Sequence, residues 1–217
     1  MEIKDLYDIF RKCGSVLTDS RKISGGELFF ALKGENFDGN EFADKALEAG
    51  AAYAVVNADA SVCARANDFP DGNGGSRLIS VNDTLVALQD LARWHREHVL
   101  GDDKHLTVIG ITGTNGKTTT KELIRTVLSA GFNVTATEGN LNNDIGVPLS
   151  VLKITPETQL AVIEMGASHP DDIAKLVKVC EPDYGIITNV GRAHLQGFGS
   201  FEGVQRAKGQ LYDYVNA

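Results

Sequence analysis

Cysteine is scarce: 217 residues contain three, Cys13, Cys63 and Cys180. They are odd in number and widely scattered, and no two have metal-ligand spacing. They therefore read as reduced thiols of a cytoplasmic protein. Long apolar runs are also missing, and none approaches the roughly 20 residues that span a bilayer. The opening Met1-Glu2-Ile3-Lys4-Asp5 lacks the basic-then-apolar layout of a signal peptide. Positive charge is in deficit, with 21 Lys and Arg against 29 Asp and Glu, a net charge of −8. With no basic field to displace counterions, nucleic acid is a poor candidate for the main partner. What remains is an ordinary globular composition, 42% hydrophobic and 23% charged, long enough for one large or two small domains.

The most informative stretch is Val108-Ile109-Gly110-Ile111-Thr112-Gly113-Thr114-Asn115-Gly116-Lys117-Thr118-Thr119-Thr120. An apolar run breaks into glycines and hydroxyls, and Gly-Lys-Thr then opens a helix-forming segment. Such a turn aims backbone N–H groups at anionic oxygens and adds a mobile lysine charge. A phosphate-binding loop for ATP is expected at Gly113, Thr114, Asn115, Gly116, Lys117, Thr118 and Thr119, with the Thr118 hydroxyl on a Mg²⁺ ion. The glycine spacing departs from G-x-x-x-x-G-K-[ST], because position 111 is Ile111 and the glycines fall at 110 and 113.

The chain reads as α/β throughout. Before residue 82 short elements alternate: a helix over 3–12, a strand over 28–32, a helix over 41–49 ended by Gly50, strands over 52–56 and 78–81, and a flexible loop over 68–76. Asp83 caps a helix reaching about Val99, with 101–104 ending it. From Leu106 the pattern becomes βα repeats, with strands over 106–111, 133–136, 160–164 and 184–188 and helices over 118–130, 170–179 and 201–215. Continuous apolar strands such as Leu160-Ala161-Val162-Ile163 suit a parallel sheet covered on both faces. Ligands bind beyond the carboxyl ends of such strands. The phosphate loop, Glu164-Met165-Gly166-Ala167 and the segment from Thr188 to His194 all fall there. Two domains follow, 1–82 and 105–217, joined by a connecting helix and linker over 83–104.

Glu164 closes an otherwise apolar strand, where a carboxylate is costly unless it meets a cation or water. It is either a Mg²⁺ ligand beside ATP or a charge stabilising the next helix. His169-Pro170-Asp171-Asp172 suits that helix start, with proline in the first turn, so both aspartates read as structural. His194 lies in a glycine-rich segment at the shared strand edge. Lys208, among Val204, Ala207 and Leu211, reads as a partly buried lysine with no clear duty. Asn140, Asn142 and Asn143 either mimic backbone in turns or bind a polar substrate. His95 and His98 sit i, i+3 on a solvated helix end and lack a third metal ligand.

Together these segments resemble the Mur ligases, ATP-dependent amino-acid and peptide ligases of peptidoglycan precursor synthesis. The resemblance rests on TGTNGKTTTKEL (112–123), GNLNNDIGVPLSVL (139–152), EMGASHPDDIAKL (164–176) and TNVGRAHLQGFGSFEGVQRAKG (188–209). TDSRKISGGELFFALKGENFDGNEFADKALEAGA (18–51) resembles a uridine-binding N-terminal domain. The resemblance implies a small N-terminal domain that binds a UDP substrate, followed by the first part of a P-loop mononucleotide-binding domain with a parallel sheet. It puts Lys117 on the ATP phosphates, Thr118 and Glu164 on Mg²⁺, and His194 on a second Mg²⁺. It aligns Lys208 with a lysine that several members carry as a carbamate bridging to that metal. Ser20, Arg21 and Lys33 would contact the UDP moiety, and Asn143, with Asn140 and Asn142, the muramoyl substrate.

Within the family the likeness is greatest to the member that adds D-Ala-D-Ala to UDP-MurNAc-tripeptide. The implied reaction runs through an acyl phosphate, from which the D-Ala-D-Ala amine then displaces phosphate. The resemblance also implies longer chains of three domains, so this one is expected to be a fragment unable to ligate alone. Another Mur-type ligase and a non-catalytic UDP-sugar or nucleotide-binding module stand as alternatives.

Overall fold

The computed structural model describes residues 1–34, 37–101 and 104–217. The expected helix end at 101–104 therefore lies partly outside the described residues, at Asp102 and Asp103. The chain divides into two units, Met1–Leu91 and Ala92–Ala217.

In the first unit, α1 (Ile3–Cys13) buries Leu6, Tyr7 and Phe10, spaced along one helical face. Gly14, at φ 74°, ends it and donates its N–H to the Phe10 carbonyl at 2.8 Å. β1 (Val16–Leu17) and β2 (Leu28–Phe30) follow, then a short antiparallel pair, β3 (Lys33–Gly34) with β4 (Phe37–Asp38). The helix expected over 41–49 is two pieces, a 3₁₀ turn (Gly39–Phe42) and α2 (Ala43–Glu48). The Asp38 carboxylate starts the turn by accepting the Asn40 N–H at 2.9 Å. A glycine is required at its first position, since a Cβ on Gly39 would lie 2.5 Å from the Leu32 carbonyl oxygen. β5 (Tyr53–Asn57) and β6 (Leu78–Val81) complete a sheet ordered β1-β2-β5-β6, parallel throughout. Its core gathers Phe29, Ala31, Ala46, Leu47, Ala54 and Val56.

α3 (Thr84–His98) begins where expected, with the Asp83 carboxylate accepting the Leu85 and Val86 N–H groups at 2.8 and 2.9 Å. The two histidines near its end turn to carbonyls: His95 to Ile154 and His98 to Trp94, both at 2.8 Å.

In the second unit, β7 (Thr107–Thr112), α4 (Lys117–Leu128), β8 (Val134–Ala136), β9 (Leu160–Glu164), α6 (Asp172–Cys180), β10 (Tyr184–Ile187) and α8 (Phe201–Val215) follow the expected pattern closely. Two helices were not foreseen, α5 (Gly146–Val151) and the single turn α7 (Leu195–Phe198). α5 falls inside the asparagine segment read as a loop. Pro148 is tolerated because its missing N–H lies in the first turn. Gly146 is required because a Cβ there would lie 2.4 Å from the Leu141 backbone.

The helix expected over 170–179 also starts later. Asp171, at φ 66°, precedes it, so Pro170 lies outside the helix rather than in its first turn. Asp172 accepts the Ser168 and His169 N–H groups at 2.9 and 2.8 Å and so shapes the turn before α6.

All strands of this sheet are parallel, in the order β10-β7-β9-β8. Val108, Ile111, Ala161, Val162 and Ile163 are fully buried, as strands covered on both faces must be. From β7 the chain runs first to one side, to β8 and β9, and then crosses to β10 on the other. That reversal opens a crevice at the carboxyl end of β7.

Candidate functional site

Gly113 to Gly116 leave β7 at that crevice. Gly113 (φ 149°) and Gly116 (φ 78°) have backbones that L side chains rarely adopt. A Cβ on Gly113 would lie 2.0 Å from the Thr188 hydroxyl. The off-pattern Gly110 has a different reason. It lies inside β7, where a Cβ would meet Met165 at 2.8 Å, Pro182 at 3.0 Å and Leu211 at 3.2 Å. Gly110 is a packing glycine, and only Gly113 and Gly116 shape the loop.

The loop is laced to the end of β10. Thr188 donates its hydroxyl to the Asn115 carbonyl at 2.6 Å, and the Asn189 amide donates to the same oxygen at 3.1 Å. The Asn189 side-chain oxygen accepts the Asn115 N–H at 3.1 Å, and the Thr114 hydroxyl accepts the Gly191 N–H at 2.8 Å. Thr188 and Asn189 were visible only as part of a strand-end segment, because nothing in their spacing announces a lacing role. Lys117 opens α4 and places its ammonium 2.9 Å from the Gly113 carbonyl, over the loop. Thr119 follows Thr118 in the first turn of α4.

Glu164 is 1% exposed and sits at the carboxyl end of β9, next to β7. The Thr118 hydroxyl donates to one of its carboxylate oxygens at 3.0 Å, and the Asn142 amide donates to the other at 2.8 Å. Among the described residues no cation pairs with it. A buried carboxylate beside a hydroxyl is an all-oxygen donor set that fits Mg²⁺, which binds through one or two carboxylates plus phosphate oxygens. Among the described residues, no three His, Cys, Asp or Glu side chains converge as a metal cluster.

A cavity of about 460 Å³ opens beside the loop, lined by Lys117, Asn142, Asn143, His169, Lys175 and His194 among others. His194 is exposed, precedes α7 at φ 53°, and turns its edge of the glycine-rich segment toward this cavity. Asn143 also holds the turn that leads into α5, its side-chain oxygen accepting the Gly146 N–H at 2.8 Å. Asn140 does not line the cavity, and its carbonyl accepts the Asn142 N–H at 2.8 Å in the turn. Lys208, expected to be partly buried, is only 3% exposed. Burial, and secondarily the charge of Lys117, push its ammonium down to about 8. Lys208 has no hydrogen-bond or ion-pair partner among the described residues.

The UDP candidates belong to the first unit. Ser20 and Arg21 lie on a 3₁₀ turn capped by Asp19, and the Arg21 guanidinium pairs with the Asp19 carboxylate at 2.8 Å. That guanidinium holds the Asp19 carboxyl down at about 2. Lys33, in β3, stands 3.9 Å from Asp38.

A glycine-lysine-threonine loop beside a buried strand-end carboxylate, where the strand order reverses, is the layout of a mononucleotide-binding α/β unit, and the wider sequence specifies the class. Residues 111–217 match the Mur ligase middle domain, and residues 13–96 match the Mur ligase family catalytic domain. The chain belongs to the Mur ligase family. It is 42% identical over 198 residues to UDP-N-acetylmuramoyl-tripeptide–D-alanyl-D-alanine ligase of Escherichia coli (strain K12), covering 91% of this chain and 40% of that protein. The same-named ligase of Bacillus subtilis (strain 168) is 45% identical over 193 residues, covering 89% of this chain and 39% of its own length. The crystal structure of MurF from Acinetobacter baumannii superposes with a TM-score of 0.81 at 34% identity, over 98% of this chain and 46% of that one. MurF ligase from Thermotoga maritima in complex with ADP gives a TM-score of 0.76 at 34% identity, over 94% and 43%. The chain thus spans about two fifths of the length of the curated relatives it matches.

Proposed function

We propose that this chain binds ATP through the loop at 113–119 and contributes that site to a ligase joining D-Ala-D-Ala to UDP-MurNAc-tripeptide in the cytoplasm. The observation that carries the reading is the contact between Thr118 and Glu164 at the crevice where the strand order reverses. In this reading residues 1–82 bind the UDP substrate, 83–104 connect, and 105–217 form the first part of the ATP-binding domain. The Thr118 hydroxyl and Glu164 would hold Mg²⁺, which supplies charge stabilisation at the phosphates.

The rest is positioning by the chain's own groups. Loop N–H groups and Lys117 hold the phosphates as the substrate carboxylate attacks the γ-phosphate and expels ADP to form an acyl phosphate; the D-Ala-D-Ala amine then attacks the acyl carbon, expelling phosphate and forming the amide. Asn142 and Asn143 present amides to the muramoyl peptide from the cavity wall, with Asn140 shaping their turn. His194, at the cavity edge, is the candidate for a second metal. Lys208 has the lowered basicity that carbamate formation needs, because only the neutral amine attacks carbon dioxide. Ser20, Arg21 and Lys33 are assigned to the UDP moiety.

Titration calorimetry with MgATP tests the reading. The unsubstituted chain is expected to bind, and Lys117→Ala to bind about 10–100-fold more weakly, the loss of a charged hydrogen bond. Equal affinities for the two proteins would refute the phosphate-loop assignment. No helix among the described residues is long and apolar enough to cross a membrane.

A further inference from the structure

Lys121 is fully buried, one helical turn beyond Lys117 on α4, and the function proposed above gives it no part. Its ammonium meets the Glu122 carboxylate at 3.0 Å and donates to the backbone carbonyl of Thr137. Thr137 is 1% exposed and follows the last residue of β8. Its N–H still continues the parallel ladder, donating to the Val162 carbonyl at 3.0 Å. In a regular parallel ladder the next bond would run from the Glu164 N–H to the Thr137 carbonyl, since each residue bonds to both neighbours of its partner. The Glu164 N–H instead donates to the Thr137 hydroxyl at 2.9 Å. The carbonyl has been turned out of the ladder toward Lys121, and the side chain takes over its duty.

We propose that Lys121 is a positioning residue for the Glu164 carboxylate, acting through Thr137. By drawing the Thr137 carbonyl onto α4, Lys121 ends β8 at Ala136 and swings the Thr137 hydroxyl under the Glu164 backbone. The same helix supplies Thr118, which bonds the Glu164 carboxylate at 3.0 Å. Glu164 is therefore tied to α4 twice, directly at its carboxylate and through Thr137 at its backbone. The two ties set the spacing between the Thr118 hydroxyl and the carboxylate, which is the spacing a cation would sample. A buried lysine serves this better than an apolar residue because the diverted carbonyl must have a donor.

The inference rests on Glu164 being a Mg²⁺ ligand, and the test separates the two claims. ATP binding is measured by calorimetry across a Mg²⁺ series for the unsubstituted chain, Glu164→Gln, Lys121→Met and Thr137→Val. Amide hydrogen exchange is followed at Glu164 and Val162. Lys121→Met and Thr137→Val are each expected to raise the Mg²⁺ concentration at half-saturation about tenfold, the worth of one hydrogen bond. Their Mg²⁺-free ATP affinity is expected to stay within about twofold, and exchange to quicken at Glu164 but not at Val162. Should Lys121→Met fail to fold, Thr137→Val, nearly isosteric, carries the same expectation. Unchanged Glu164 exchange in Thr137→Val, or an equal loss of affinity with and without Mg²⁺, would overturn the positioning role. A Glu164→Gln protein with unaltered Mg²⁺ dependence would overturn the metal reading instead, whatever the exchange data show.

Discussion

Each unit rests on a four-stranded parallel sheet, but the two sheets are wound differently. In the first, strand order follows chain order, β1-β2-β5-β6, so successive connections step in one direction. In the second, β10-β7-β9-β8, the chain reverses across β7 and leaves a crevice at the strand ends. The candidate residues follow that difference. In the second unit they stand at strand ends and are braced by partners distant in sequence: Glu164, itself buried, by Thr118, Asn142 and the buried Thr137, and Asn115 by Thr188 and Asn189. In the first unit Arg21 and Lys33 are exposed on a turn and a two-residue strand, and among the described residues their ion pairs are with the nearby Asp19 and Asp38. Similar sheets thus support a pre-shaped site in one unit and adaptable surface charges in the other.

The sharpest way to break this comparison uses one glycine from each unit. Gly113→Ala meets both a positive φ and the Thr188 hydroxyl, so equilibrium urea unfolding should show a loss of about 2–4 kcal/mol, with ATP binding abolished. Gly14→Ala meets a positive φ but open space, and should cost about 1 kcal/mol. Equal costs would mean that the loop of the second unit is no more constrained than an ordinary helix end.

Ligand binding should dissociate in the same way. Lys117→Ala is expected to weaken ATP binding about 10–100-fold while leaving UDP-sugar binding unchanged. Arg21→Ala should do the reverse, and calorimetry with each ligand reads both. A variant that lowers both affinities would show that the two sites are not separable.

Lys208 offers a pH test. Its folded-state value, about 8, lies below the ordinary lysine value of 10.5. Between those limits the unfolded chain holds more protons, so stability should rise with pH across this window. Below about pH 8 the buried ammonium carries its full desolvation cost. Lys208→Met should therefore be the more stable protein at pH 7, by about 1–3 kcal/mol, and lose that advantage as pH approaches 10.5. Parallel stability curves for the two proteins would contradict the assigned burial penalty. The smallest effect is expected in the first unit, where Arg21→Ala should leave the midpoint of thermal unfolding unchanged, because an exposed ion pair contributes little.

The strands and long helices of the second unit were legible because their signals are local. Apolar runs, the Gly-Lys-Thr junction and the glycine-ended helix pattern each state an element within a few residues. The Ser200 hydroxyl, which caps α8 by accepting the Gly203 N–H at 3.0 Å, came only with the structure. α5 was not legible, since the clustered asparagines pointed to turns, and only the close Leu141 backbone explains Gly146. Gly110 misled in the opposite sense: it looked like a shifted loop glycine, and its reason is Met165, Pro182 and Leu211 packed against β7. Asp172 accepts N–H groups in the turn before α6 and also lines the cavity, and the turn geometry moved the helix start past both Pro170 and Asp171.

The sequence by itself determined the glycine-lysine-threonine loop at the strand-to-helix junction, the α/β alternation and the set of polar residues at strand ends, because short-range pattern and residue chemistry suffice for these. Only the tertiary structure decided which of those residues meet. Thr118 lies 46 positions from Glu164, Lys121 16 from Thr137, and Asn115 74 from Asn189. Those meetings depend on strand order and ladder register, which are set by packing of the whole sheet rather than by any local run of residues.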